Sequence, residues 1–148
     1  MSSMTDGFEN VLCDLLFNNT AIANIGDATG LPATAVAGST QIALATVAFN
    51  DADTLLTADE VAYTGYARPT QARSSAGWTV SGAVASNAAL EQFGEMTAGG
   101  PDTVVHAGLG FIATGDILRL HQDLASDLVI NNGVNPQFAI GAMTWTFA

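Results

Sequence analysis

Lysine is absent from this chain, and arginine occurs only at Arg68, Arg73 and Arg119. Against these three cations stand 14 acidic side chains, giving a net charge of −11. A surface so poor in cations excludes nucleic-acid binding, because such binding draws its affinity from basic side chains that displace counterions from phosphates. Cysteine is nearly absent as well. The lone Cys13 excludes an internal disulfide and any multi-cysteine zinc site, and reads as a small semi-buried hydrophobe rather than a nucleophile. No membrane span is expected: residues 28–50 are uncharged, but Pro32, Gly38, Ser39, Thr40 and Gln41 interrupt them, and no Lys or Arg flanks them. The opening MSSMTDGFEN carries no basic residue before its apolar ones, so it does not read as a secretory signal. Only 11% of residues are charged against 49% hydrophobic, which excludes a disordered acidic tail.

What is present describes one globular domain of 148 residues, with residues 1–40 forming a helix and an extended arm and residues 41–148 a β-sandwich. Asp6 and Glu9 fit a helix N-cap and its N3 carboxylate. Phe8, Val11, Leu12, Leu15 and Leu16 then repeat at helical spacing, and Asn18, Asn19 and Thr20 supply a stop, so the pattern predicts an amphipathic helix over residues 7–18. Such a short helix must dock its apolar stripe on its own domain or on a neighbour.

Beyond residue 40 the apolar period becomes two. The runs at 41–49, 60–68, 78–82, 90–93, 103–112, 116–124, 128–130 and 138–147 read as short strands separated by Gly, Asn, Asp and Ser. They predict an all-β fold, an antiparallel β-sandwich or jelly-roll-like barrel with a short N-terminal α-helix. Thr114-Gly115 lies between two runs and predicts a two-residue hairpin turn pairing Ala113 with Asp116. In that register Val105, Ala107, Leu109, Phe111, Leu118 and Leu120 face the core, while His106, Arg119, His121 and Asp123 look outward, with His106 opposite Asp123.

Chemistry is sparse. His106, His121 and Asp123 could bind a metal or act as a base, but polar residues on an outward sheet face are ordinary, and no metal ligand set is assigned. Asn50, Asp51, Asp53, Asp59 and Glu60 are hard oxygen donors that calcium could use, yet they lack the glycine and glutamate spacing of a calcium loop. No phosphate loop, zinc-helix motif or nucleophile elbow occurs, so the chain reads as no enzyme and as needing no cofactor. Arg68 and Arg73 sit among Tyr63, Tyr66 and Trp78, next to Pro69, and read as structural glue at an edge or bend.

The segments EVAYTGYAR, AGWTVSGAVASNAALEQF, DTVVHAGLGFIATGDILRLHQDL and LVINNGVNPQFAIGAMTWTF together resemble a group of small tailed-bacteriophage tail-fibre or minor structural proteins. The resemblance spans roughly residues 58–148, on Gly65 to Arg68, Asn87-Ala88, His106 to Gly108, Thr114-Gly115 and Phe138 to Thr146. It implies a β-rich virion subunit without catalytic residues. Within a virion, the short chain without heptads or fibrous repeats leans toward a capsid decoration protein on the outer shell, a homo-oligomer with a trimer favoured, partnered by the major capsid protein or other virion proteins. A tail-fibre or baseplate component is the alternative; an acidic DNA mimic, with so few charges, is a second. Subunits this acidic repel one another, so association must use apolar and main-chain contacts rather than charge. Leu12, Leu15, Leu16, Met143, Trp145 and Phe147 are the apolar interface candidates, with Arg68 and Arg73 the polar ones.

Overall fold

The computed structural model describes residues 4–26, 30–112 and 115–147. It is predominantly β, with antiparallel sheets and one helix, α1 (Asp6–Asn18). The strands are β1 (Ser39–Ala45), β2 (Thr70–Ala72), β3 (Trp78–Ser81), β4 (Val84–Asn87), β5 (Glu91–Gln92), β6 (Asp102–Phe111), β7 (Leu120–Ile130), β8 (Gln137–Phe138) and β9 (Thr144–Thr146). These residues group into two compact units. One takes the described parts of 1–38, 71–90 and 139–148; the other comprises Ser39–Thr70 and Glu91–Phe138.

In the first unit, β3, β4 and β9 form a sheet in that order. Val84 to Asn87 run back along Trp78 to Ser81, and Ala85 pairs with Trp145 on β9. α1 begins one residue earlier than its sequence suggests. Thr5, in extended conformation, is the N-cap, without a side-chain cap bond, so Asp6 and Glu9 act only as first-turn carboxylates favoured by the helix dipole. At its other end Asn19 adopts a left-handed conformation (φ 55°) and ends the helix. The helix has no basic residue in its last turn. Arg73 supplies the cation from elsewhere: its Nε donates to the Leu16 carbonyl at 2.7 Å, Nη2 to Leu15 at 2.7 Å, and Nη1 to Ala37 at 2.9 Å.

The helix face turned into the unit is not the expected one. Glu9, Cys13 and Phe17 are buried at i, i+4 and i+8, with Phe17 meeting the Trp78 ring edge-on at 4.7 Å. Burial, with Asp14 adding to it, pushes the Cys13 thiol up to about 11, as suits an inert core sulfur. Phe8 stays exposed, while Val11, Leu12, Leu15 and Leu16 are half-buried.

The second unit is built on β1, β6 and β7, with β6 central. β2 enters at Thr70, the last residue of this unit's first segment, just after Pro69 accepts a hydrogen bond from Ile42 N–H. β6 and β7 pair His106 with Asp123, Ala107 with Gln122, Gly108 with His121 and Leu109 with Leu120, the register expected from the sequence. The turn residues Ala113 and Thr114, and hence the Ala113–Asp116 pair, lie outside the described residues. Farther along, Val104 pairs with Leu128, so Leu124 to Asp127 bulge opposite the single residue Val105. The run 116–124 becomes strand only from Leu120, and from there it is joined with 128–130 in one irregular strand.

The expected outward face of β6 is buried. Gly108 and Gly110 leave room on it, because a Cβ on Gly108 would stand 2.8 Å from Leu118 and Phe49 carbons and 2.9 Å from a Leu56 carbon. Those three side chains fill that space with Ala43 and Ala45 of β1. Ile42, Leu44, Ala107 and Leu109 are buried too, so β6 carries apolar packing on both faces. Residues 60–68 are not a continuous strand; Gly65 takes φ 98°, and isolated bridges tie Glu60 to Ala45 and Thr64 to Ala98. A Cβ on Gly94 would lie 1.8 Å from the Gly65 carbonyl, so the chain crosses itself here on two glycines. β5 and β8 make a small separate ladder.

Candidate interface

The cationic segment is consumed by internal structure. The Arg68 guanidinium forks onto both Glu60 carboxylate oxygens, and its Nη1 reaches Asp116 Oδ1 and Gln41 Oε1. Glu60 first, then Asp116, holds that charge firmly in place and pushes the guanidinium pKa up against the burial that opposes it. Tyr63 and Tyr66 meet edge-to-face at 5.2 Å across the Gly65 bend. Tyr63 Oη donates to the Gly94 carbonyl at 2.8 Å, and Tyr66 Oη accepts from Leu44 N–H at 3.0 Å. Burial chiefly, with Glu60 beside it, raises the Tyr66 phenol well above its ordinary range, so it stays neutral. Arg73, as described, serves the end of α1.

Among the apolar candidates, Met143 and Trp145 are buried within their own unit, and Met143 N–H donates to Asn87 Oδ1 at 2.9 Å. Phe147 is half-buried, its ring 6.3 Å from that of Phe17. The C-terminal run 138–147 is broken between β8 and β9, where Gly141 takes φ 77° and Ile140 is left 69% exposed. Leu12, Leu15 and Leu16 are half-buried, and Met4 and Phe8, at 40% and 38% exposure, extend the apolar character of α1 toward its start. The helix thus keeps one apolar stripe for its own unit and leaves a second partly open.

Two features escaped sequence reasoning. Asn87 is buried and central to the first unit: Nδ2 donates to the carbonyls of Ala89 (2.7 Å) and Ala139 (2.9 Å), while Oδ1 accepts from Met143. A lone Asn gives no signal for this. The other is His106, only 4% exposed, whose inward place is announced only by Gly108 and Gly110 nearby.

Neither polar cluster gathers ligands for a metal. Among the described residues no group of three or more His, Cys, Asp or Glu could hold one. In the 50–53 turn the Asp53 carboxylate is occupied by Asn50, accepting from its backbone N–H and its Nδ2 at 2.8 Å each, while Asn50 Oδ1 accepts from Ala52 N–H at 2.9 Å. This is a self-closed Asx turn. Among the described residues no helix is long and apolar enough to cross a membrane.

What the chain offers is therefore packing surface: a partly open apolar helix stripe, an exposed Ile140, and an acidic exterior. A search of curated proteins finds no match to the chain. Residues 3–146 match the family model described as Podophage GP4 fiber I protein gp80. With nearly its whole length inside that match, the chain belongs to the podophage GP4 fiber I family.

Proposed function

We propose that the chain is a non-enzymatic building block of a podophage tail fibre, joined to further copies of itself and to other virion proteins through apolar and main-chain contacts. The observation that carries this reading is the family match over residues 3–146, which favours the fibre over capsid decoration, the position toward which the missing heptads and repeats lean. Those absences do not weigh against a fibre subunit that associates through a β-domain and a short helix. The half-open stripe of Leu12, Leu15 and Leu16 supports the mode of association, since a domain this acidic has no charge complementarity to offer another copy. A trimer is the expected state, and the partners are virion proteins rather than nucleic acid or membrane.

Sedimentation of the purified chain across a salt series tests the mode. Association is expected to hold or strengthen from about 20 to 300 mM salt as the mutual repulsion is screened, with a Debye length falling from roughly 20 Å to under about 10 Å. Leu12→Ser combined with Leu15→Ser should weaken association while leaving the monomer folded. Steep dissociation by salt, with the double variant unaffected, would contradict the apolar mode and point to Arg119 or another cation.

A further inference from the structure

His106 is titratable and buried, and its two ring nitrogens are committed to opposite roles. Nδ1 accepts a hydrogen bond from the Phe49 backbone N–H at 3.0 Å. Nε2 donates to Asp123 Oδ1 at 3.0 Å. Together these require the neutral imidazole with its proton on Nε2. An imidazolium carries a second hydrogen, on Nδ1, and would point it at the Phe49 N–H. Protonation of His106 and the Phe49 hydrogen bond are thus mutually exclusive.

Phe49 is the anchor of the segment between β1 and the Asx turn. Its ring belongs to the core cluster with Ala43, Ala45, Leu56 and Leu118, and sits 5.8 Å from the His106 ring. Two residues on, Asp51 Oδ1 lies 3.3 Å from Nε2 of His121, whose ring is 5.3 Å from that of His106. The groups around His106 are few. β7 contributes Asp123 and His121, β1 contributes uncharged Ala45, and the 46–53 segment contributes Asp51, turned to His121, and Asp53, turned to Asn50.

We propose that His106 is an acid-operated latch on residues 46–53: a proton taken up at Nδ1 expels the Phe49 N–H and frees the segment, while the β1-β6-β7 ladder remains formed. One proton is bound from solvent and one hydrogen bond is lost. The Nε2–H to Asp123 contact is kept and becomes an ion pair, which holds the ring on the β7 side. What the opening exposes is apolar, because the Phe49 ring leaves the cluster over Gly108.

The direction of the response follows from the surroundings. Burial first, and the nearby His121, hold the His106 pKa below its usual range, while Asp123 pulls the other way. The latch is therefore fully closed above the open-state pKa and loosens as pH falls from there toward the lower closed-state value. Within that interval the open population grows about tenfold per pH unit.

Hydrogen exchange of the full chain from pH 7.5 to 4.5, corrected for intrinsic rates, tests this. The Phe49 and Asp53 amides should lose protection about tenfold per pH unit over part of that range, while the amides of the Ile42–Ala45 and Ala107–Leu109 ladder hold. His106→Asn can place an oxygen where Nδ1 accepts but cannot titrate, so its Phe49 protection should not depend on pH. Two further variants test the same point while keeping the His106 ring: His121→Gln should move the opening to higher pH, and Asp123→Asn to lower pH. Simultaneous loss of segment and ladder protection, protection retained to pH 4.5, or identical profiles for His121→Gln and Asp123→Asn would overturn the latch.

Discussion

Asn87→Leu is expected to destabilise the chain by about 3 kcal/mol or more, since each buried polar group left without its partner costs roughly 1–3 kcal/mol. Two groups are stranded at once, the Met143 N–H and the Ala89 carbonyl, while the Ala139 carbonyl keeps the Ala142 N–H at 3.0 Å. The backbone of Asn87 adds to the same knot, with its N–H donating to Met143 O at 3.2 Å and its carbonyl accepting from Gly141 at 2.9 Å. For a domain of this length the loss corresponds to a fall in melting temperature of about 6–12 °C. Asn87→Asp sharpens the case. It retains an acceptor for Met143 but turns a carboxylate oxygen toward two carbonyls, so it should cost at least as much at neutral pH. Thermal melts that place both variants within about 1 kcal/mol of the parent would mean that the amide is not the organiser of β4, β9 and the 139–143 turn.

Phe17→Ala should cost about 3–5 kcal/mol, the usual loss for truncating a buried aromatic ring. Phe17 has no exposed surface and packs between Trp78 and Phe147, so its removal strips α1 of its main apolar contact. Alanine at Leu12 or Leu15, both half-buried, should cost the isolated chain about 1 kcal/mol or less, and register instead in association. Urea denaturation of the three variants checks this. Equal losses at Phe17 and Leu12 would show that the two stripes of α1 do not divide their duties between fold and assembly.

The helix shows where sequence patterning stops being informative. Its existence and its end at Asn19 follow from apolar spacing and a residue that tolerates the left-handed conformation. Its inward face does not follow, because Glu9 is not a residue that a hydrophobicity pattern places in a core beside Cys13 and Phe17. The pairing of β6 with β7 was legible from the position of one glycine-containing turn, which fixes His106 opposite Asp123. Which face of β6 is covered was not. Alternation of polar and apolar residues marks an open face only when no loop lies over it, and here Phe49 and Leu56 do. β4 was missed because Val84-Ala85-Ser86-Asn87 is held by pairing on both sides rather than by strand-forming side chains. Residues 60–68, rich in β-formers, fail as a strand because Gly65 bends the chain and Tyr63 and Tyr66 turn to meet.

Of the interface candidates, the arginines illustrate a further point about acidic chains. Three cations among 14 acids are strong candidates for internal work, and Arg68 and Arg73 do such work at a carboxylate cluster and a helix end. Met143 and Trp145 likewise serve their own unit. The helix stripe and Ile140 are part of the apolar surface that remains for neighbours, with Val36, Val47 and Val129 also exposed.

The central claim, that this chain is a fibre component, is tested most directly by locating it in a reconstruction of the virion that carries it. Density for the fold is expected at the tail, in a small number of copies set by the fibres, with α1 facing a neighbouring subunit. Density spread over the shell in a fixed ratio to the major capsid protein would contradict it and return the chain to the role of a capsid decoration protein.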